Sequence, residues 1–205
     1  MNYDTLANEE MITKLSAGLT ERGFLPQVIA TGAEAFEQIK SMILPGASVM
    51  NGTSRTLESI GFIEYLKADQ HGWKNLHADI LAEKDETKQA ELRRQSLLSD
   101  YYLGSVHAVA ESGEMVIASN TGSQLPHLVY TSPNVILVVS TQKITPTLEE
   151  AFNRLDQHVI PLEDVRMKGV YGVGTMKSKT LIMHHENPMM GRKIHVLLVK
   201  EKLGF

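Results

Sequence analysis

Five consecutive apolar residues, Val135-Ile136-Leu137-Val138-Val139, four of them β-branched, limit the folds open to this chain more than any other segment. Apolar at every position rather than every second one, the run suits a strand buried on both faces, inside a sheet covered by helices on either side. Pro133 bounds it upstream, and Gln142-Lys143 stand just past its C-terminal end. Thr147 then opens a helix with Glu150 three residues on, a capping-box spacing. Before this run, Val106–Glu111 and Met115–Ser119 read as strands joined by the Gly-bearing hairpin Ser112-Gly113-Glu114. A polar loop, Asn120-Thr121-Gly122-Ser123-Gln124, and a short apolar segment to Tyr130 lead into it. Polar loops and a Gln-Lys pair that follow strands lie where open α/β sheets hold ligands.

Elsewhere the pattern alternates in the same way. Leu6, Met11, Ile12, Leu15 and Leu19 fall at helical spacing between Asp4 and Gly23, Pro26–Ala30 is a short strand candidate, and Ala33–Met42 a second helix before Pro45-Gly46. Ser48-Val49-Met50 reads as a strand running into a turn at Asn51–Arg55, with Leu57–Leu66 as the helix that leaves it. Lys84–Leu98 is a charged helix or linker; Pro161–Arg166 reads as a crossing segment and Gly169–Gly174 as a loop. Thr180–Met183 and Lys193–Lys200 are the last strands. The expected fold is α/β: a single domain over residues 1–205, with an N-terminal helical part (1–45) and an α/β core (46–205) whose parallel or mixed sheet is flanked by helices.

A net charge of −4 argues against a phosphate-backbone partner, so no nucleic acid is expected. No apolar run approaches the ~20 residues of a membrane span, and the acidic start Met1-Asn2-Tyr3-Asp4 lacks the layout of a signal peptide. A cytoplasmic location is the expectation. The chain has no cysteine, which excludes a thiolate-held iron–sulfur cluster, a disulfide and a thiol nucleophile. Any redox role must then lie in a partner subunit or a non-thiolate organic cofactor, whose identity the sequence leaves open.

Several residues offer chemistry. Thr53-Ser54-Arg55, between a strand and a helix, combines unpaired N–H groups, hydroxyls and a guanidinium, suited either to an anion or to a plain N-cap. Glu111 ends an apolar run, so its carboxylate is either paired, with Arg93, Arg94 or a backbone turn, or catalytic. Asn120, Thr121, Gly122, Ser123 and Gln124 supply short donors on a flexible backbone. Lys143 brings a cation to a strand end and, with Glu111, is a catalytic candidate. His184 and His185 are adjacent and cannot share a face as i,i+4 histidines do, so no metal site is expected. His107 and His127 could line a pocket. Glu111, Lys143, the Asn120–Gln124 loop and the Ser54 turn are expected to converge on one concavity.

The segment from Tyr101 to His158 resembles the lactate-utilisation (LUD) domain family, through Ala108, Glu111, Gly113, Val116, Gly122, Pro126, Lys143, Ile144, Leu148, Glu149, Glu150 and Ala151. Asn51–Gly61 is similar to the family's strand-to-helix turn, and Leu203-Gly204-Phe205 is a typical ending, so the likeness covers roughly residues 40 to 205. Some relatives carry Gly-Asn-Arg where this chain has Gly122-Ser123-Gln124, which removes a guanidinium that Lys143 could replace. The resemblance implies the α/β fold of sugar-phosphate isomerases, glucosamine-phosphate deaminases and CoA transferases. Glu-x-Gly at Glu111 is also similar to the nucleophile of some CoA transferases. Three functional classes follow: a component of L-lactate oxidation to pyruvate acting with separate iron–sulfur subunits; a stand-alone enzyme for an acyl-CoA, sugar phosphate or related anion; or a non-catalytic subunit that binds an anionic metabolite. An oligomer is compatible with each.

Overall fold

In the computed structural model, which describes residues 2–205, the Val135–Val139 run lies at the heart of a six-stranded sheet. The elements in chain order are α1 (Glu9–Glu21), β1 (Leu25–Ile29), α2 (Gly32–Met42), β2 (Ser48–Asn51), α3 (Arg55–Ser59), α4 (Phe62–Lys67), β3 (Lys74–Asn75), α5 (Leu76–Ala82) and α6 (Glu86–Gln95). Then come β4 (Tyr101–Gly104), β5 (Ala108–Ala110), β6 (Met115–Ser119), β7 (Asn134–Ser140), β8 (Ile144–Thr145), α7 (Leu148–Arg154), α8 (Ile160–Tyr171), β9 (Lys179–Met183) and β10 (Lys193–Val199). The large sheet runs β1-β10-β7-β4-β2-β3, every pair parallel. A second, mixed sheet of four strands, β8-β5-β6-β9, carries the hairpin.

Strand alternation explains the apolar run. Val135, Leu137 and Val139 face one cluster with Leu15, Leu19 and Phe24, while Ile136 and Val138 face another with Ile39, Leu57 and Phe62. All five side chains are fully buried, and each is worth about 1.5–3 kcal/mol of burial. The N-terminal forty-five residues are not only helical, since β1 pairs with β10 and closes one edge of the sheet.

The hairpin departs from its expected bounds at one telling place. Its strand stops at Ala110, and Glu111 falls in the turn, where its N–H donates to the Thr145 carbonyl at 2.8 Å. Helix α1 docks there at backbone range: a Cβ on Gly18 would lie 2.7 Å from the Ser112 carbonyl oxygen, and Gly113 has φ +100°. Arg22 fastens the contact through the Ser112 and His184 carbonyls and Glu114.

Pro161–Arg166 is not a crossing segment. A π-helical turn, Leu155–Val159, joins α7 to α8 as continuous helix, and its wider ladder accommodates the ring and missing N–H of Pro161. The Gly169–Gly174 stretch is accordingly helical to Tyr171, with Gly172 closing the helix at φ +71°. Thr147 caps α7 as its spacing predicts, accepting from the Glu150 N–H at 3.2 Å. No helix among the described residues is long and apolar enough to cross a membrane.

Candidate functional site

Three neighbouring parallel strands, β2, β4 and β7, end side by side, and the residues just past their C-terminal ends build one cleft of about 380 Å³. Gly52–Thr56 follow β2, Ser105-Val106-His107 follow β4, and Lys143 follows β7. Position past the carboxyl ends of parallel strands is the general ligand address in such sheets. The small sheet contributes Ala118, Ser119 and the Asn120–Gln124 loop, and α8 contributes Glu163, Arg166 and Met167.

Lys143 forms the floor. It is 3% exposed, and its Nζ lies 2.9 Å from Thr56 Oγ1, 3.1 Å from Ser105 Oγ and 3.2 Å from the Val106 carbonyl. No carboxylate pairs with it among the described residues; instead a second cation, Arg154, is fully buried nearby. Burial, helped by the Arg154 charge, lowers the Lys143 pKa to about 7. Arg154 donates through Nη1 to the His107 carbonyl, while its Nε and Nη2 have no partner among the described residues. Burial pulls its own pKa down to about 10.

His107 accepts the Ala118 N–H at its Nδ1 (3.1 Å), so a neutral ring carries its proton on Nε2. Burial and then the charges of Lys143 and Arg154 hold its pKa down at about 3. The ring is a fixed neutral donor at any working pH.

Tyr102 stands between this cleft and a second chamber of about 500 Å³. Its side chain is 1% exposed, stacks on His127 at 4.5 Å and sets its hydroxyl against the Gly52 backbone. Burial raises that hydroxyl's pKa, keeping it a proton donor. The two chambers share Gly52, Thr53, Tyr102, Thr121, Ser123 and Gln124. Ile80, Leu81, Leu97 and Pro126 make the second chamber's wall more apolar, and Arg93 and Arg94 stand on its lining. A buried network supports this region: His127 Nδ1 lies 2.9 Å from Ser132 Oγ, which is 3.0 Å from Ser99 Oγ.

The sequence candidates divide. Thr53, Ser54, Arg55, Asn120, Thr121, Ser123, Gln124 and Lys143 line the cleft together, and Gly122 lines the adjoining chamber. Ser54 is the N-cap of α3, its Oγ accepting from Leu57 N–H at 3.3 Å, and Arg55 is paired with Glu58. Gln124 donates to the Ala118 carbonyl at 2.9 Å, and Asn120 accepts from Ser178 at 3.2 Å. Gly122 needs its φ of +89° and the space of a missing Cβ, since Lys179 passes 2.8 Å from where one would lie.

Glu111 is not brought into the cleft. It faces α1, with Lys14 at 3.7 Å, and neither Arg93 nor Arg94 reaches it; Arg94 pairs with Glu91. The cause is the Gly18–Gly113 contact, which turns the hairpin tip toward α1. His184 and His185 are exposed and flank β9, away from the cleft lining. Thr56, Ser105, Tyr102, Arg154 and Arg166 escape a reading of the sequence. Only Ser105, a hydroxyl just past a strand, carries a local signal.

Fold and cleft define an α/β protein with a polar cleft at its parallel strand ends. The model of the LUD domain matches residues 12–199, and the chain belongs to that family. A DUF162 family protein from Deinococcus radiodurans, known from a crystal structure, has the same fold: TM-score 0.53 at 11% identity, covering 95% of this chain and 99% of that one. No curated protein sequence matches.

Proposed function

We propose that the cleft binds a small carboxylate metabolite and that the protein takes part in oxidation of L-lactate to pyruvate, with the electrons carried by separate iron–sulfur subunits. The observation that supports this most is Lys143, a buried basic side chain on the cleft lining that has no carboxylate partner among the described residues. A bound carboxylate would supply the missing counter-charge in a region of low dielectric, where it counts most. Hydroxyl and amide groups of Thr53, Ser119, Asn120 and Gln124 on the same lining suit the other oxygens of a hydroxy or oxo acid. With no cysteine in the chain, redox chemistry falls to partners.

The adjoining chamber favours a second reading, a larger ligand such as an acyl-CoA or sugar phosphate that spans both spaces past Tyr102. Calorimetric titration with L-lactate, pyruvate, a CoA ester and a sugar phosphate separates the two. Saturable binding of lactate or pyruvate, weakened at least about tenfold in Lys143→Met, supports the first, as does iron in a complex co-purified with the tagged chain. Preference for the longer ligands selects the second, and turnover by the isolated chain would make it an enzyme in its own right. Binding without turnover or any iron-bearing partner leaves a metabolite-binding subunit.

A further inference from the structure

Among the described residues, the contacts around Lys143 include no carboxylate: Nζ meets only three oxygens, those of Thr56 Oγ1, Ser105 Oγ and the Val106 carbonyl, and two of them suffice for an uncharged amine. Ser105 Oγ lies 2.6 Å from the Val138 carbonyl and gives its proton there, so toward Lys143 it can only accept. The Val106 carbonyl accepts as well. These two take both N–H bonds of a neutral amine. The third neighbour, Thr56 Oγ1, has only the Leu203 carbonyl at 3.4 Å as another outlet for its proton. Its hydroxyl can therefore point at the Lys143 lone pair, or swing to Leu203 and free that lone pair for the cleft. Placing a positive Arg154 rather than a carboxylate nearby works against the charged form.

We propose that Lys143 is a nucleophile that condenses with the carbonyl carbon of a 2-oxo acid in the cleft and holds it as an imine. This rests on reading the cleft as the metabolite site. In the first step the Nζ lone pair forms a bond to C2, the carbonyl π pair moves to oxygen, and a proton passes from nitrogen to that oxygen to give a carbinolamine. In the second, the oxygen takes one more proton and leaves as water while the nitrogen lone pair completes C=N, leaving a protonated imine. The sum is one amine, one carbonyl and one proton giving one iminium and one water, with no oxidant or reductant. Thr56 Oγ1 relays the proton from nitrogen to oxygen, the further proton comes from solvent at the mouth of the cleft, and the Nε2–H of the neutral His107 ring, on the same lining, can hydrogen-bond the oxygen without giving up its proton. A 2-hydroxy acid has no electrophilic C2 and cannot form the bond, so the site distinguishes the oxidised from the reduced acid by chemistry.

The test is borohydride reduction of the full chain in the presence of pyruvate, read by intact mass and peptide mapping, with L-lactate as control and pyruvate calorimetry in parallel. Expected is a reduced pyruvate adduct on Lys143, exceeding that on exposed lysines by on the order of a hundredfold, because an ordinary lysine is almost wholly protonated near neutral pH. Lactate should give none. Calorimetric binding of pyruvate without an adduct on Lys143 overturns the imine and leaves the cleft reading intact. Absence of both binding and adduct overturns both. An adduct spread evenly over exposed lysines also overturns the proposal. The mapping is done on wild type, so the result does not depend on a Lys143 variant folding; Lys143→Arg serves as a second check, since it keeps N–H donors for the same oxygens and cannot form the bond.

Discussion

Lys143, Tyr102 and Thr56, on the strand side of the cleft, are 3%, 1% and 1% exposed, whereas α8, lining the same cleft, has no buried residue at all. On the strand side, polar groups are held against the ends of β2, β4 and β7, and burial shifts their proton equilibria. On α8 the charges answer one another locally, Arg166 with Glu163 at 2.7 Å and Lys168 with Asp164 at 2.5 Å, while Val165, Val170 and Tyr171 face outward. Two sides of one cavity can thus have opposite energetics. In the proposed reading, chemistry belongs to the side that the core holds rigid, and shape to the side that can open without disturbing the core.

Removing Lys143 tests that division most severely. Lys143→Met should abolish borohydride trapping and weaken pyruvate binding at least about tenfold, yet stabilise the fold. The sign follows from linkage. The folded-state pKa lies below the unfolded one, so the native state bears the cost of a buried charge in full below pH 7. That cost fades as pH rises from 7 to the ordinary lysine range and is gone above it. The variant's gain should be a few kcal/mol at most at pH 6 and vanish near pH 11, less what the orphaned Val106 carbonyl loses. Urea melts at the two pH values decide it; a gain independent of pH would mean that Lys143 is not desolvated in the native protein.

A second set of groups on the strand side should show itself in acid. Burial holds the His127 pKa near 4 and that of His107 near 3, so below the unfolded value of 6.5 the unfolded state takes up protons that the native state refuses. Stability then falls as pH drops from 6.5 through 4, by up to about 3 kcal/mol for His127. Replacing His127 by Gln, which keeps an acceptor for Ser132, should flatten that part of the profile. An unchanged slope would place the acid sensitivity elsewhere.

The passage between the chambers comes next in size. A Cβ on Gly52 would lie 2.7 Å from the Tyr102 hydroxyl oxygen, and the stacked Tyr102 ring cannot yield without disturbing His127. Gly52→Ala should cost about 1–3 kcal/mol of stability and reduce binding of any ligand long enough to occupy both chambers, while sparing pyruvate. Loss of pyruvate binding as well would show that Tyr102 belongs to the metabolite contact itself.

What the sequence made legible follows the same divide between local and distant causes. β7, the hairpin turn, the Thr147 cap and the polar loop follow from residue periods and glycine or hydroxyl positions within a few residues. Lys143 could be placed at the cleft because it directly follows the strand most evident in the chain. Glu111 could not, because a carboxylate closing an apolar run looks the same whether it meets a ligand or a neighbouring helix. Its place was decided by two glycines nearly a hundred residues apart, Gly18 and Gly113. Arg154 sits on a helix with Glu149 and Glu150 in its first turn, and only packing against the small sheet makes it fully buried. Pro161–Arg166 reads as a crossing segment from sequence because the π-helical turn that absorbs Pro161 leaves no mark in hydrophobic pattern.

On α8, Arg166→Ala removes a guanidinium from the cleft lining and breaks its bidentate pair with Glu163. Because that pair spans one turn of a helix with no buried residue, its loss should change stability by no more than about 0.5 kcal/mol. Pyruvate affinity should shift by less than about threefold, the scale of a partly solvated charge at the rim. Hydrogen exchange supplies the matching physical measure: amides of Ile160–Tyr171 should exchange well before those of β7 and β10, through local opening that leaves the sheet intact. If Arg166→Ala instead costs as much binding as Lys143→Met, α8 is part of the chemical site, and the opposition between a rigid floor and a loosely held side fails. If α8 amides exchange only with global unfolding, the helix is held by contacts that its exposure does not reveal, and the same opposition fails on energetic grounds.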